Sequence, residues 1–338
     1  MSADLTRRRL LRGSLATASV ATLGGLLSAC GDDDTSAAPD SDATPDAGPW
    51  TWTDDLGQEI RLDATPTRIA AYGDAAAALI NFGITPVALF HYTEPSEDST
   101  FEDLDLSDIE VVGTAYGEIN LEQLAAARPE LVVTTRYDGD TPESMYGFKD
   151  EAQLARIKAI APVVGVMQAG SALDVIETNE KLVASLGVDV DAGPVAEDRA
   201  AFEAASAALS EAAGSGLTVL PVYGEDANYY VAKAPDDPAL RYYSELGLSF
   251  VPIEGKDYYW EVLSWENADK YQPNIVLYSV RDSYTPEQLL DQPVFARLEA
   301  AQAGQLHPWK FKSMDYKAQT SYLGELAGWL AADRSVAT

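Results

Sequence analysis

Residues 68–90 read RIAAYGDAAAALINFGITPVALF, and their punctuation decides the fold class. Ile69-Ala70-Ala71-Tyr72 is an apolar run of strand length. Residues 75–82 are then apolar but for Asn81 over two helical turns, Gly83 supplies a helix stop, and residues 86–90 are apolar again. Two strands separated by a helix need a crossover connection, so they are expected to lie parallel.

The alternation continues outward. Strands are predicted at 110–113, 131–135 and 162–165, with helices at 120–127 and 150–160 between them. Two longer helical stretches follow at 173–186 and 195–213. The second carries Phe202, Ala205 and Leu209 at helical spacing and stops at Gly214-Ser215-Gly216. A second alternation then begins: strand 217–222, helix 238–246, strand 274–278, helix 286–290 and a closing amphipathic helix over 316–332. Upstream, residues 50–62 read as a hairpin turning at Leu56-Gly57. The expectation is an α/β protein with an N-terminal lobe (50–172), a linking helical segment (173–215) and a C-terminal lobe (216–338).

Composition agrees with a globular body. The chain has 338 residues, 46% of them apolar and 23% charged, enough for two domains. Lys and Arg number 23 against 54 Asp and Glu, a net charge of −31. Such a surface repels phosphate backbones, so no nucleic-acid partner is expected. The single cysteine excludes an internal disulfide, and two histidines are too few for a His-rich metal site.

Residues 1–29 read as an export signal. Arg7-Arg8-Arg9 sits in a twin-arginine-like setting, and a mild apolar run ends at Leu27-Ser28-Ala29-Cys30, which looks like a lipoprotein processing box with Cys30 as the lipid acceptor. The blander alternative is an ordinary secretory signal with an incidental cysteine. Residues 30–49 are rich in Asp, Ser, Ala and Pro without apolar periodicity and read as a flexible tether. The expected location is the extracytoplasmic face of the cell membrane, held by a lipid.

Several segments together resemble a known family. They are Thr67-Arg68-Ile69-Ala70-Ala71-Tyr72 with LINFGITPVAL over 79–89; Asn120-Leu121-Glu122 with Arg128-Pro129-Glu130-Leu131-Val132-Val133; Ile160-Ala161-Pro162-Val163-Val164; and Ser264-Trp265-Glu266 with Gln272-Pro273-Asn274-Ile275-Val276. In this order, over roughly residues 50–335, they resemble the substrate-binding proteins of ABC importers, in the class that captures siderophores, haem and vitamin B12. The resemblance implies two α/β lobes joined by one long rigid helix, with the ligand in the cleft between them. It implies an ABC permease with its ATPase as partner, and a monomer is the simple expectation. It also implies that Glu122 and Glu266, one per lobe, dock on permease arginines; helix capping or a solvated face is the competing reading.

Ligands of open α/β sheets bind beyond the carboxyl ends of the strands. Reading the residues there gives the candidate ligand set: Tyr72, His91, Tyr116, Arg136 and Tyr137 in the first lobe, and Tyr223, Tyr230, Tyr259, Trp260, Arg281, Tyr284, Trp309 and Lys310 in the second. Aromatic rings offer contact area at little entropy cost. Twelve of the 17 tyrosines lie at or after Tyr223, and Tyr242, Tyr243, Tyr271 and Tyr322 are assigned to packing. Arg136 and Arg281 suit oxygen-rich ligands through their forked donors, the alternative being surface pairs with Asp138 and Asp282.

No cofactor or resident metal is expected, because a chelator already fills its metal's coordination sphere. Many aromatics with one or two arginines favour a ferric hydroxamate siderophore over an anionic catecholate. Haem and vitamin B12 remain alternatives, with a tyrosine available as axial ligand for haem. An exported hydrolase is the remote alternative; the chain has no Gly-x-Ser-x-Gly elbow or phosphate-binding glycine loop, so no catalytic residue is assigned. A purely adhesive lipoprotein is the other competing class.

Overall fold

The computed structural model describes residues 48–137 and 144–333. The signal over 1–29, the lipidation site Cys30, all but the last two residues of the tether, and Asp138 lie outside them.

The body opens with β1 (Trp50–Thr53) and β2 (Glu59–Leu62), an antiparallel hairpin. The Asp54 carboxylate accepts the Leu56 and Gln58 N–H groups, and Gly57 takes the left-handed φ of +76° that the turn needs. Next come β3 (Ile69–Tyr72), α1 (Gly73–Asn81), β4 (Ala88–His91), β5 (Glu110–Thr114), α2 (Leu121–Ala126), β6 (Leu131–Arg136), α3 (Glu151–Lys158) and β7 (Val163–Met167). Among the described residues these five later strands form one parallel sheet in the order β5-β4-β3-β6-β7. Every residue of β3, β4 and β6 is buried, as expected of central parallel strands covered on both faces.

Two helices follow, α4 (Ala172–Ser185) and α5 (Gly193–Ala213). A capping box between Ser171 and Asp174 starts α4, and Pro194 sits in the first turn of α5. The second alternation comprises β8 (Thr218–Gly224), β9 (Tyr229–Ala232), α6 (Pro238–Glu245), β10 (Ser249–Phe250), β11 (Trp260–Leu263), β12 (Ile275–Ser279), α7 (Pro286–Leu290), α8 (Glu299–Gln302), β13 (Leu306–Trp309) and α9 (Tyr316–Ala332). Its sheet runs β11-β9-β8-β12-β13, with β10 added beside β8. Strands β8, β10, β12 and β13 are parallel, whereas β9 lies antiparallel to β8 and β11.

The expected α/β class with two lobes is the observed one. Within the helical segment the two helices divide the work. Helix α4 touches β1, α1 and β7 on one side and α6 on the other, and its Asn179 amide donates to the Met314 carbonyl at 2.9 Å. Helix α5 packs along α9, and the Phe202 ring stacks on Tyr242 and meets Tyr316 edge-on. Tyr242, Tyr243 and Tyr322 are buried.

Three strands depart from the sequence expectation. Tyr229 and Tyr230 lie inside β9 rather than after a strand, Trp260 opens β11, and Trp309 closes β13. The antiparallel β9–β11 pair is defined by partners about thirty residues apart, such as Val231 and Glu261, which local alternation does not reveal.

Candidate functional site

The carboxyl ends of the two sheets face one cleft of about 370 Å³. From the first lobe, Asp74 at the start of α1, Thr135 and Tyr137 at the end of β6, Tyr146, and Gln168 after β7 line it. The second lobe contributes Asp236 and Asp237 at the start of α6, Tyr258, Tyr259 and Trp260 at the start of β11, Arg281 after β12, Trp309 at the end of β13 and residues 310–314 after it. In the first sheet the strand order reverses between β3 and β6, and Asp74 and Tyr137 follow those two strands. That is where a crevice opens in a parallel sheet.

Six of the sequence-derived ligand candidates meet in this cleft: Tyr137, Tyr259, Trp260, Arg281, Trp309 and Lys310. The others are elsewhere. Tyr72 is 1% exposed and packs on Phe90, His91 and Tyr146. His91 is buried, with Nε2 at 3.0 Å from Asp98 Oδ2. Arg136 is 4% exposed, at a backbone bridge to Met145. These three close β3, β4 and β6, and burial takes them out of the cleft wall.

Tyr116 is 48% exposed and stands edge-on to Tyr146, outside the cleft. Tyr223 and Tyr230 back the Trp260 ring at 6.1 and 6.0 Å. Tyr284 stacks on Trp265 and, with Tyr223, borders a separate surface depression. Sequence reasoning left Tyr146, Gln168, Asp237, Phe311 and Lys312 out of its ligand set. Asp237 has a legible signal, an Asp before Pro238 at a helix start.

The aromatic part of the wall is continuous. Tyr259, Trp260, Trp309 and Phe311 form a chain with ring centroids 4.8, 6.0 and 4.5 Å apart. Tyr137 and Tyr146 meet edge-on across from it in the first lobe's lining. The Tyr259 hydroxyl is pushed up by burial and by Asp237. Burial likewise raises the Asp237 carboxyl, against hydrogen bonds from the Leu240 N–H and the Tyr259 hydroxyl.

Each cation of the lining has a carboxylate partner. Lys310 Nζ lies 3.0 Å from Glu325 Oε1 and 3.5 Å from Glu102 Oε2, and Lys312 Nζ lies 3.4 Å from Glu102 Oε2. Arg281 does not pair with the adjacent Asp282, as one sequence reading had it. Its Nη2 is 2.8 Å from Asp74 Oδ1, and its Nε is 3.3 Å from Asp98 Oδ2. Burial alone would lower the Arg281 pKa, but Asp74 and Asp98 outweigh it and raise it. The guanidinium also lies over the Phe311 ring at 4.7 Å. Among the described residues no cluster of three or more His, Cys, Asp or Glu side chains has the geometry to hold a metal.

Two α/β lobes around an aromatic-walled cleft are the architecture of a substrate-binding protein. The chain belongs to the periplasmic binding protein family, whose model matches residues 69–312. DesE, described as a ferric-siderophore receptor protein from Streptomyces coelicolor, is 27% identical, with a TM-score of 0.77 over 85% of this chain and 99% of that one. The siderophore periplasmic binding protein from the fuscachelin gene cluster of Thermobifida fusca shares the fold at 24% identity and a TM-score of 0.58, over 80% of this chain and 98% of that one. FhuD2 from Staphylococcus aureus, solved with bound ferrioxamine B, does so at 18% identity and a TM-score of 0.58, over 78% of this chain and 98% of that one. No curated protein matches the chain.

Proposed function

We propose that this chain is the capture subunit of an ABC importer for a ferric siderophore of hydroxamate type, working by binding and not by catalysis. The observation that carries the ligand class is the charge state of the lining: aromatic walls with every cation already paired to a carboxylate. A bulky anionic catecholate would need cations free to receive it, and here it would compete with Asp74, Asp98, Glu102 and Glu325. A neutral or cationic hydroxamate complex needs only rings and a few polar tips. DesE is described as a ferric-siderophore receptor, and Vibrio cholerae FhuD was solved with ferric Desferal; both support this reading.

The loaded protein would dock through Glu122 and Glu266. Glu122 is exposed in the first turn of α2, and Glu266 is exposed in a 3-10 turn after β11. Cys30 would carry the lipid that keeps the protein at the extracytoplasmic face of the cell membrane as a monomer. The test is a titration followed by tryptophan fluorescence, with ferrioxamine B, a ferric tris-catecholate, haem and cobalamin. Tight quenching by the ferric hydroxamate, and not by its iron-free form, is the expected result. Preference for the tris-catecholate overturns the hydroxamate assignment, and preference for haem or cobalamin overturns the siderophore reading.

A further inference from the structure

We propose that Arg281 is an inter-lobe positioning residue that sets the width of the cleft, and not a group that grips the ligand; this rests on reading the cleft as the ligand site. Arg281 follows β12 of the second lobe, yet its guanidinium reaches Asp74, Thr100 and Asp98 of the first. Its Nη2 donates to Asp74 Oδ1 at 2.8 Å and to Thr100 Oγ1 at 2.6 Å, and its Nε faces Asp98 Oδ2 at 3.3 Å. These partners are 207, 181 and 183 residues away along the chain.

The receiving end is rigidly built. The Asp98 side chain is fully buried and accepts the Thr100 N–H at 2.8 Å and the Tyr92 hydroxyl, while His91 Nε2 lies 3.0 Å away. Asp98 therefore has no freedom to follow a moving partner. The same first-lobe loop is held a second time: Thr100 Oγ1 donates to the Phe311 carbonyl at 3.0 Å, and Lys312 Nζ donates to the Ser99 carbonyl at 3.1 Å. Two hydrogen bonds from Nη2, with the Asp98 carboxylate as charge partner beside Nε, hold the guanidinium against the first lobe in a way that a single-point ammonium reproduces only in part. Opening the cleft would draw the part-exposed guanidinium away from Asp98 and leave that fully buried carboxylate without its inter-lobe cation, so the bridged width is the favoured one.

The readout is the lobe separation itself. The full-length chain carrying Cys30→Ser has no other thiol, so Val111→Cys on β5 and Val262→Cys on β11, both exposed, accept paired spin labels. Without any chelate, the parent should give one narrow distance distribution by double electron–electron resonance. Arg281→Gln should give a longer and broader one, with Arg281→Lys between them. Asp74→Asn combined with Asp98→Asn should widen the distribution from the other lobe, and adding Arg281→Gln to that pair should widen it little further.

Affinity supplies the second arm. Arg281→Gln should weaken ferrioxamine B and a ferric tris-catecholate by similar factors, tenfold or more. An unchanged distance distribution in folded Arg281→Gln, or a loss confined to the anionic chelate, overturns the proposal and makes Arg281 a ligand contact. If Arg281→Gln fails to fold, the Arg281→Lys distances decide: a distribution identical to the parent's counts against it. The distance arm needs no chelate, so it stands apart from the ligand assignment.

Discussion

The Tyr259 hydroxyl donates to Asp237 Oδ2 at 2.8 Å, while Tyr259 holds a left-handed φ of +67°. A bulky residue in that region is strained, and strain persists where the surroundings over-determine the conformation. Here the Tyr259 N–H donates to Asp236 Oδ2 and its carbonyl accepts from the Lys233 N–H. Three hydrogen bonds thus aim one ring into the cleft. Tyr259→Phe should keep the ring's place and leave the buried Asp237 short of a donor. The expected loss is about 1–3 kcal/mol, the cost of an unsatisfied buried group. Urea unfolding checks it, and a variant as stable as the parent would show that the hydroxyl bond holds nothing.

Asp315 caps α9 by accepting the Ala318 N–H and reaches α1 through the Asn81 amide. Burial pushes its carboxyl up to about 6, against the hydrogen bonds from Ala318, Ser313 and Asn81. A raised folded-state pKa means the folded protein holds this proton more tightly than the unfolded chain. Its contribution to stability is therefore full below about pH 4 and is lost as pH rises through about 6. Asp315→Asn should flatten that decline. The check is the parent-minus-variant difference in unfolding free energy at pH 4 and pH 7; equal differences would refute it.

Gly73 opens α1 against the His91 ring: a Cβ there would stand 2.0 Å from Nδ1. Gly73→Ala must displace a ring wedged among Tyr72, Tyr92 and Phe101, and with it the His91–Asp98 contact. Overpacking of this kind costs about 1–3 kcal/mol. A lowered midpoint in chemical denaturation is expected, together with a wider cleft in the spin-label assay.

Glu122→Ala with Glu266→Ala should abolish iron-chelate uptake by cells while leaving chelate affinity unchanged, because both carboxylates are exposed and outside the cleft wall. Normal transport by the double variant would remove these residues from the docking role.

Most of the fold was legible because its signals are local. Apolar runs between glycine stops marked the parallel strands, and the helices expected over 120–127 and 150–160 begin at Asn120 and Asp150, which cap α2 and α3. The β9–β11 pair was not legible, since it is set by long-range pairing of Tyr229 and Tyr230, which read equally well as loop, with Leu263 and Val262. In the site, chain position showed which residues follow strands but not which way they turn. Tyr137 faces the cleft while its neighbour Arg136 is buried away from the lining. Arg281 was legible as a cleft residue, but Asp74 and Asp98 become its partners only when the two lobes meet.

The pairing of every lining cation bears on unloading as much as on capture. A site that holds its cargo with bare arginines is left with buried, unneutralised charge when the cargo departs, and that penalty resists release. Here Lys310, Lys312 and Arg281 each have a carboxylate of the protein as partner. Under the proposed function, a neutral cargo drawn out by a permease would leave a vacated cleft that is already electrostatically self-sufficient.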